Sequence, residues 1–234
     1  MRLLLVSNST VAGRGYLDHV AEAVKAFLSD RVKRVLFVPY ALADRGGYAA
    51  KARQRFEALG YGLDSIHDAA DPKAAVLAAE AVFVGGGNTW RLLKALYDHD
   101  VLDALKSRAE AGMPYIGSSA GSGIAAPTIR TTNDMPICEP PTFRALSLVP
   151  FQLNLHYLDP HPKNEHMGET REERLLQYLE EWPEPVAGLR EGSWLDIANG
   201  IVTLRGFPGA RVFRRGGAPV EVEPDTELND VLGL

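Results

Sequence analysis

The chain opens with an apolar run at residues 3–7 and then keeps changing period. Leu17, Val20, Val24 and Leu28 recur at helical spacing within residues 16–28, and residues 34–38 form a second apolar run. The alternation continues through a helix at 48–59 with Gly60 just past its end, and a strand at 61–66. Asp71-Pro72 caps and starts a helix that runs through Ala79. Ala81-Val82-Phe83-Val84 is apolar without interruption, the mark of a strand buried on both faces. Helices at 90–97 and 101–111 precede a short strand at 115–116. Strands alternating with helices predict right-handed crossovers and an α/β fold, a mainly parallel sheet flanked by helices on both faces.

Beyond residue 126 the pattern changes. Proline and polar residues dominate 127–141, and short strands are expected at 147–149, 151–153, 186–189 and 194–197. A helix is expected at 170–179, and a terminal hairpin of 201–204 with 211–213 around Pro208-Gly209. No linker, repeat or low-complexity tract interrupts the 234 residues, so a single domain spanning 1–234 is expected.

Composition narrows the function. Net charge is −5 with no long basic run, which argues against nucleic acid as a partner. The apolar start is too short for a signal peptide and no run reaches membrane-span length, so a cytoplasmic protein without a membrane partner is expected. The lone Cys138 excludes an internal disulfide and a cysteine-based zinc site; it precedes Glu139-Pro140-Pro141 and has no strand-to-helix turn of its own.

Two glycine-bearing breaks fall at expected carboxyl ends of strands, where ligands collect in open α/β sheets. Gly117-Ser118-Ser119-Ala120-Gly121 has the Gly-x-Ser-x-Gly spacing of a strand–turn–helix nucleophile elbow. Ser119 is the candidate nucleophile; Ser118 and Ser122 lack glycines at minus two and plus two. The same pentapeptide also suits a structural turn or an anion site. Gly85-Gly86-Gly87-Asn88-Thr89 reads as an oxyanion or anion nest, or as a plain turn. The amide of Gly87 with that of Ala120 makes a two-donor oxyanion hole. No Lys-Ser/Thr follows the triplet and no Gly-x-Gly-x-x-Gly opens the first helix, which disfavours nucleotide binding.

A serine nucleophile needs a base and a carboxylate to orient it. Of six histidines, His156 ends a probable strand, while His161 and His166 lie in a proline-rich loop and are placed to touch substrate. Glu191 and Asp134 compete as orienter. Glu191 is favoured because it follows an apolar strand and precedes Gly192, which leaves room beside the site.

Six segments in register resemble peptidase E, the α-aspartyl dipeptidase family of serine peptidases. They are residues 85–89, 115–121, 131–137 with Thr131-Thr132-Asn133-Asp134, 151–156, Gly168-Glu169-Thr170-Arg171, and 189–194. The loop at 160–167 departs from the family pattern. The resemblance implies a fold similar to class I glutamine amidotransferases and metal-free, cofactor-free hydrolysis of Asp-X dipeptides. It implies Ser119 as nucleophile, His156 as base, Gly87 and Ala120 as oxyanion donors, and Glu191 or Asp134 as the acid. Substrate contacts fall to Arg171, Asn88 and His166, and a homodimer is implied by resemblance alone. Two other readings stay open: a cyanophycinase-like peptidase of β-aspartyl-arginine polymer, and a non-catalytic anion-binding module. Arg171 is the expected carboxylate ligand because a planar, permanently charged guanidinium binds both oxygens. Arg130, Arg190 and His166 are the fallbacks.

Overall fold

Five of the predicted strands lie side by side, all parallel, in one seven-stranded sheet. The structure, a computed structural model, describes residues 1–160 and 168–234. Its strands and helices in chain order are β1 Arg2–Val6, α1 Ala21–Leu28, β2 Arg34–Val38, α2 Arg45–Ala58, β3 Gly62–Ser65, α3 Pro72–Ala78, β4 Ala81–Val84, α4 Thr89–Asp98, α5 Leu102–Glu110, β5 Tyr115–Ser118 and α6 Ala120–Gly123. There follow β6 Gln152–Leu155, α7 Arg171–Glu181, β7 Val186–Leu189, β8 Ser193–Ala198, β9 Ile201–Gly206, β10 Ala210–Phe213, β11 Val220–Val222 and α8 Asn229–Leu232. The large sheet has the order β3-β2-β4-β5-β1-β8-β9, with β8 and β9 antiparallel. A second sheet, β11-β10-β7-β6, pairs β6 with β7 in parallel and the rest antiparallel.

The period of two along each strand explains the layers. In β1, Leu4 and Val6 point to the face covered by α1 and α2, where they meet Val24, Leu28, Ala52 and Phe56. Leu3 and Leu5 point to the other face, into the cluster that holds Leu92 and Leu96 of α4 and Leu105 of α5. That cluster continues through Leu153, Leu189 and Val212 of the second sheet. One continuous apolar interior therefore fixes the two sheets to each other, and with them the ends of β5, β6 and β7.

Several expectations need correction. The first helix begins only at Ala21, because Leu17 sits at φ 57° and a 3-10 turn over Asp18–Val20 intervenes. The second starts three residues early at Arg45, since the Asp44 side chain accepts the Gly47 amide as an N-cap. Residues 147–149 form no strand: their amides bond back to Ala125 and Ala126 carbonyls, and Ser147 has φ 52°. The terminal hairpin is also different. β9 pairs with β8 across Asn199-Gly200, both at positive φ, the geometry of a two-residue hairpin turn. After Pro208-Gly209 the chain crosses to the second sheet, so β10 pairs with β7 and the unanticipated β11.

Candidate active site

The carboxyl ends of β1, β4, β5, β6 and β7 converge on one place, and each is followed at once by a polar or glycine residue. Ser119 follows β5 with φ 51° and ψ −117°, a strained conformation for a residue with a side chain. The flanking glycines make that turn sterically feasible. A Cβ on Gly117 would lie 2.6 Å from the Gly121 carbonyl oxygen, and one on Gly121 would lie 2.0 Å from that of Val84. Gly86 is equally constrained, since its Cβ would lie 2.9 Å from the Ser119 Cβ. The neighbouring serines serve the scaffold: Ser122 Oγ donates to the Val6 carbonyl and Ser118 is fully buried.

Ser119 Oγ and His156 Nε2 are 2.8 Å apart, and His156 Nδ1 lies 2.7 Å from Glu191 Oε1. With Glu191 ionised, Nδ1 carries the proton and donates to it, which leaves the Nε2 lone pair to accept from the serine hydroxyl. The chain thus brings together residues 119, 156 and 191 in a serine–imidazole–carboxylate relay. Asp134 does not reach His156. Its Oδ2 accepts the Thr89 amide at 2.7 Å and the Thr89 hydroxyl at 2.5 Å, so it caps the start of α4, and it lines the cavity beside Arg171.

The base is held by residues that sequence reasoning missed. Ser7 Oγ, fully buried at the end of β1, accepts the His156 amide at 3.0 Å and donates to the Leu189 carbonyl at 2.9 Å. Asn8 Oδ1 accepts the Gly192 amide at 2.8 Å, next to Glu191. The available signal was the polar run Ser7-Asn8-Ser9-Thr10 at a strand's carboxyl end. His156 itself has φ 53°, so β6 turns sharply into the site.

The glycine loop has one unassigned amide. Gly85 donates to the Val38 carbonyl, Gly86 to Tyr48 Oη at 2.8 Å, and Asn88 to the Ala41 carbonyl. The amides of Gly87 and Ala120 have no protein acceptor among the described residues. Asn88, an expected substrate ligand, uses its side chain otherwise: Oδ1 accepts the Arg91 amide as N-cap of α4, and Nδ2 donates to the Met135 carbonyl. Both of its polar groups are thereby committed to the scaffold.

A cavity of about 390 Å³ opens beside Ser119, lined by Asp134, Thr131, His156 and Arg171 among others. Arg171 is the first residue of α7, which Thr170 and Glu173 close with a reciprocal capping box. Its Nη1 is buried and has no hydrogen-bond partner among the described residues. Burial pushes its pKa down from the ordinary arginine value, the Arg174 charge adds to this, and Asp134 and Glu191 oppose it. The fallback arginines are engaged elsewhere: Arg190 is paired bidentately with Asp159, and Arg130 lies over the Phe143 and Trp182 rings. His161 and His166 lie outside the described residues. Cys138 stands apart from the relay, beside a surface cleft with Arg91 and Lys94. Among the described residues no helix is long and apolar enough to cross a membrane, and no cluster of three His, Cys, Asp or Glu side chains suits a metal ion.

The chain resembles known proteins over its whole length. The sequence profile of peptidase family S51 matches residues 3–205. The chain is 52% identical to peptidase E of Streptomyces coelicolor over 234 residues, covering 100% of this chain and 96% of that protein. It is 43% identical over 232 residues to a Drosophila melanogaster protein named "Probable alpha-aspartyl dipeptidase", covering 98% and 97%. The crystal structure of a peptidase from an acI-B1 Actinobacterium superposes with a TM-score of 0.71 at 18% identity, over 97% of this chain and 95% of that one, a likeness of fold. The chain belongs to peptidase family S51.

Proposed function

We propose that this peptidase hydrolyses dipeptides with an N-terminal aspartate through an aspartyl ester on Ser119. The observation that carries the reading is the hydrogen-bonded series Ser119–His156–Glu191 beside a buried Arg171 guanidinium nitrogen that has no partner among the described residues. The relatives named peptidase E and alpha-aspartyl dipeptidase support the substrate class.

In the reaction, Ser119 Oγ attacks the peptide carbonyl carbon as His156 Nε2 takes its proton. Glu191 holds the imidazole in the reactive tautomer and stabilises the imidazolium. The oxyanion receives the amides of Gly87 and Ala120, which no protein acceptor competes for among the described residues. His156 then returns the proton to the departing amine, and the second residue leaves. Water, deprotonated by the same imidazole, attacks the ester and releases aspartate.

Recognition follows from charge. Arg171 receives the side-chain carboxylate of the first residue, and Asp134, with Oδ2 held by Thr89, turns its remaining acceptor capacity to the substrate ammonium. A site built on a charged pair rejects substrates that lack the partner. A panel of Asp-Leu, Asn-Leu, Ala-Leu, Glu-Leu and β-Asp-Arg tests this. Asp-Leu should be cleaved far better than Asn-Leu or Ala-Leu, and Glu-Leu poorly, because the Glu carboxylate lies one methylene too far out. Preference for β-Asp-Arg would establish the cyanophycinase-like reading instead. No turnover, with anion binding retained, would establish a binding module.

A further inference from the structure

Ser119 sits where two clefts meet. The second cleft, of about 560 Å³, shares only Ser119, Asp134 and His156 with the Arg171 cavity. Its remaining walls come from Gly86 and Gly87, the start of α2, Tyr16 and Leu42. Among the described residues Lys51 is the one lysine or arginine that lines it.

Three observations set Lys51 apart from an ordinary surface lysine. First, it lies one turn after Tyr48 on α2, so both face the same way, and Tyr48 Oη is the group that holds the Gly86 amide. Second, its ammonium is positioned 4.6 Å from the centroid of the Tyr16 ring, a cation–π contact on the cleft wall. Third, it makes no ion pair among the described residues, as Lys33, exposed just before β2, also does not, whereas Lys25, Lys73, Lys94 and Lys106 each pair with a carboxylate. Two carboxylates line the same cleft: Asp44 has its Oδ1 bound to the Gly47 amide, where it caps the positive end of α2, and Asp134 has its Oδ2 bound to Thr89. Lys51 pairs with neither and lines the same cleft as the serine.

The charges of an Asp-X dipeptide divide across the scissile bond. The side-chain carboxylate and the ammonium belong to the first residue and suit Arg171 and Asp134. The free α-carboxylate belongs to the second residue, which departs on the other side of Ser119. We propose that Lys51 binds this α-carboxylate and so makes the enzyme selective for dipeptides over longer or C-terminally blocked peptides. Leu42 and the Tyr16 ring, in the same cleft, receive an apolar second side chain. This inference rests on the Asp-X reading above and adds to it the half of the site that holds the leaving group.

The test compares Asp-Leu with Asp-Leu amide, in which the carboxylate is a neutral carboxamide, on wild type, Lys51→Met and Lys51→Arg. Wild type should prefer Asp-Leu by about five- to tenfold in kcat/KM, the size of one charge-assisted contact in an open cleft. Lys51→Met should lose that factor on Asp-Leu, chiefly as a raised KM, and almost nothing on the amide. Lys51→Arg should keep most of the preference. Equal losses on both substrates, or no preference in wild type, would overturn the assignment of Lys51. Cleavage of neither substrate by wild type would remove the Asp-X reading, and this inference with it.

Discussion

Arg171→Met separates recognition from folding. The guanidinium is about half-buried and Nη1 has no partner among the described residues, so it is a partly desolvated charge open to an anion. Charge-assisted hydrogen bonds contribute about 1.5–3 kcal/mol each, and the exposed part of the group is screened. A total of about 2–4 kcal/mol is reasonable for a bidentate pair here, or about 30- to 900-fold in kcat/KM for Asp-Leu. Ala-Leu offers no carboxylate and should be cleaved almost equally by variant and wild type. The same substitution should not destabilise the fold. It removes a buried unsatisfied donor, and a cation at the first position of α7, where the helix dipole disfavours positive charge by about 0.3–1 kcal/mol. The melting temperature should therefore stay level or rise by a few degrees, at roughly 2–4 °C per kcal/mol for a chain of this size. Kinetics on both dipeptides, with a thermal melt of each protein, complete the assay. An equal loss on Asp-Leu and Ala-Leu, or a lowered melting temperature, would show that Arg171 supports the fold rather than the substrate.

Three further outcomes follow from the geometry. Glu191→Gln should cut kcat by about 10²–10⁴, less than for a fully buried triad acid because this carboxylate is partly exposed, whereas Asp134→Asn should act mainly on KM and cost about 1 kcal/mol of stability through the α4 cap; steady-state kinetics with a melt reverses the assignment if the kcat loss falls on Asp134. Gly121→Ala places a methyl 2.0 Å from the Val84 carbonyl and should destabilise by at least about 1–3 kcal/mol in urea unfolding; a neutral result would mean that the turn is looser than described. Burial first and the Arg14 charge second hold the His19 imidazole below its ordinary value, against the pull of Asp18. The unfolded chain then binds the extra proton, so stability should fall as pH drops below about 6.5, and His19→Gln should flatten that slope; an unchanged slope would place the titration elsewhere.

Most of what was legible in the sequence is local. The run 81–84 and the Gly-x-Ser-x-Gly turn state their own conformation, because uninterrupted apolarity and paired glycines have few other uses. The favouring of Glu191 over Asp134 came from position at a strand end, and the structure brings Glu191 to the imidazole. Illegible features depend on distant pairing. Ser7 meets the His156 amide across 149 residues, and nothing around Ser7 names its partner. In the second sheet, strands near β6, β7 and β10 are expected from the sequence, but their pairing with one another and with the three-residue β11 is not. Pro208-Gly209 reads as a hairpin turn, yet it is Asn199-Gly200, both at positive φ, that closes a two-residue turn between β8 and β9. Asn88 is expected as a substrate contact, yet an asparagine directly before a helix is first of all a cap.

The most direct test of the central claim is to catch the acyl-enzyme. The enzyme is mixed with an activated aspartyl ester, quenched in acid, digested, and the peptides are weighed. A mass increase of one aspartyl residue on the peptide containing Ser119, lost on hydroxylamine treatment and absent from Ser119→Ala, is the expected result. Turnover of the same substrate by Ser119→Ala at the wild-type rate, or an aspartyl label on any residue other than Ser119, would contradict it.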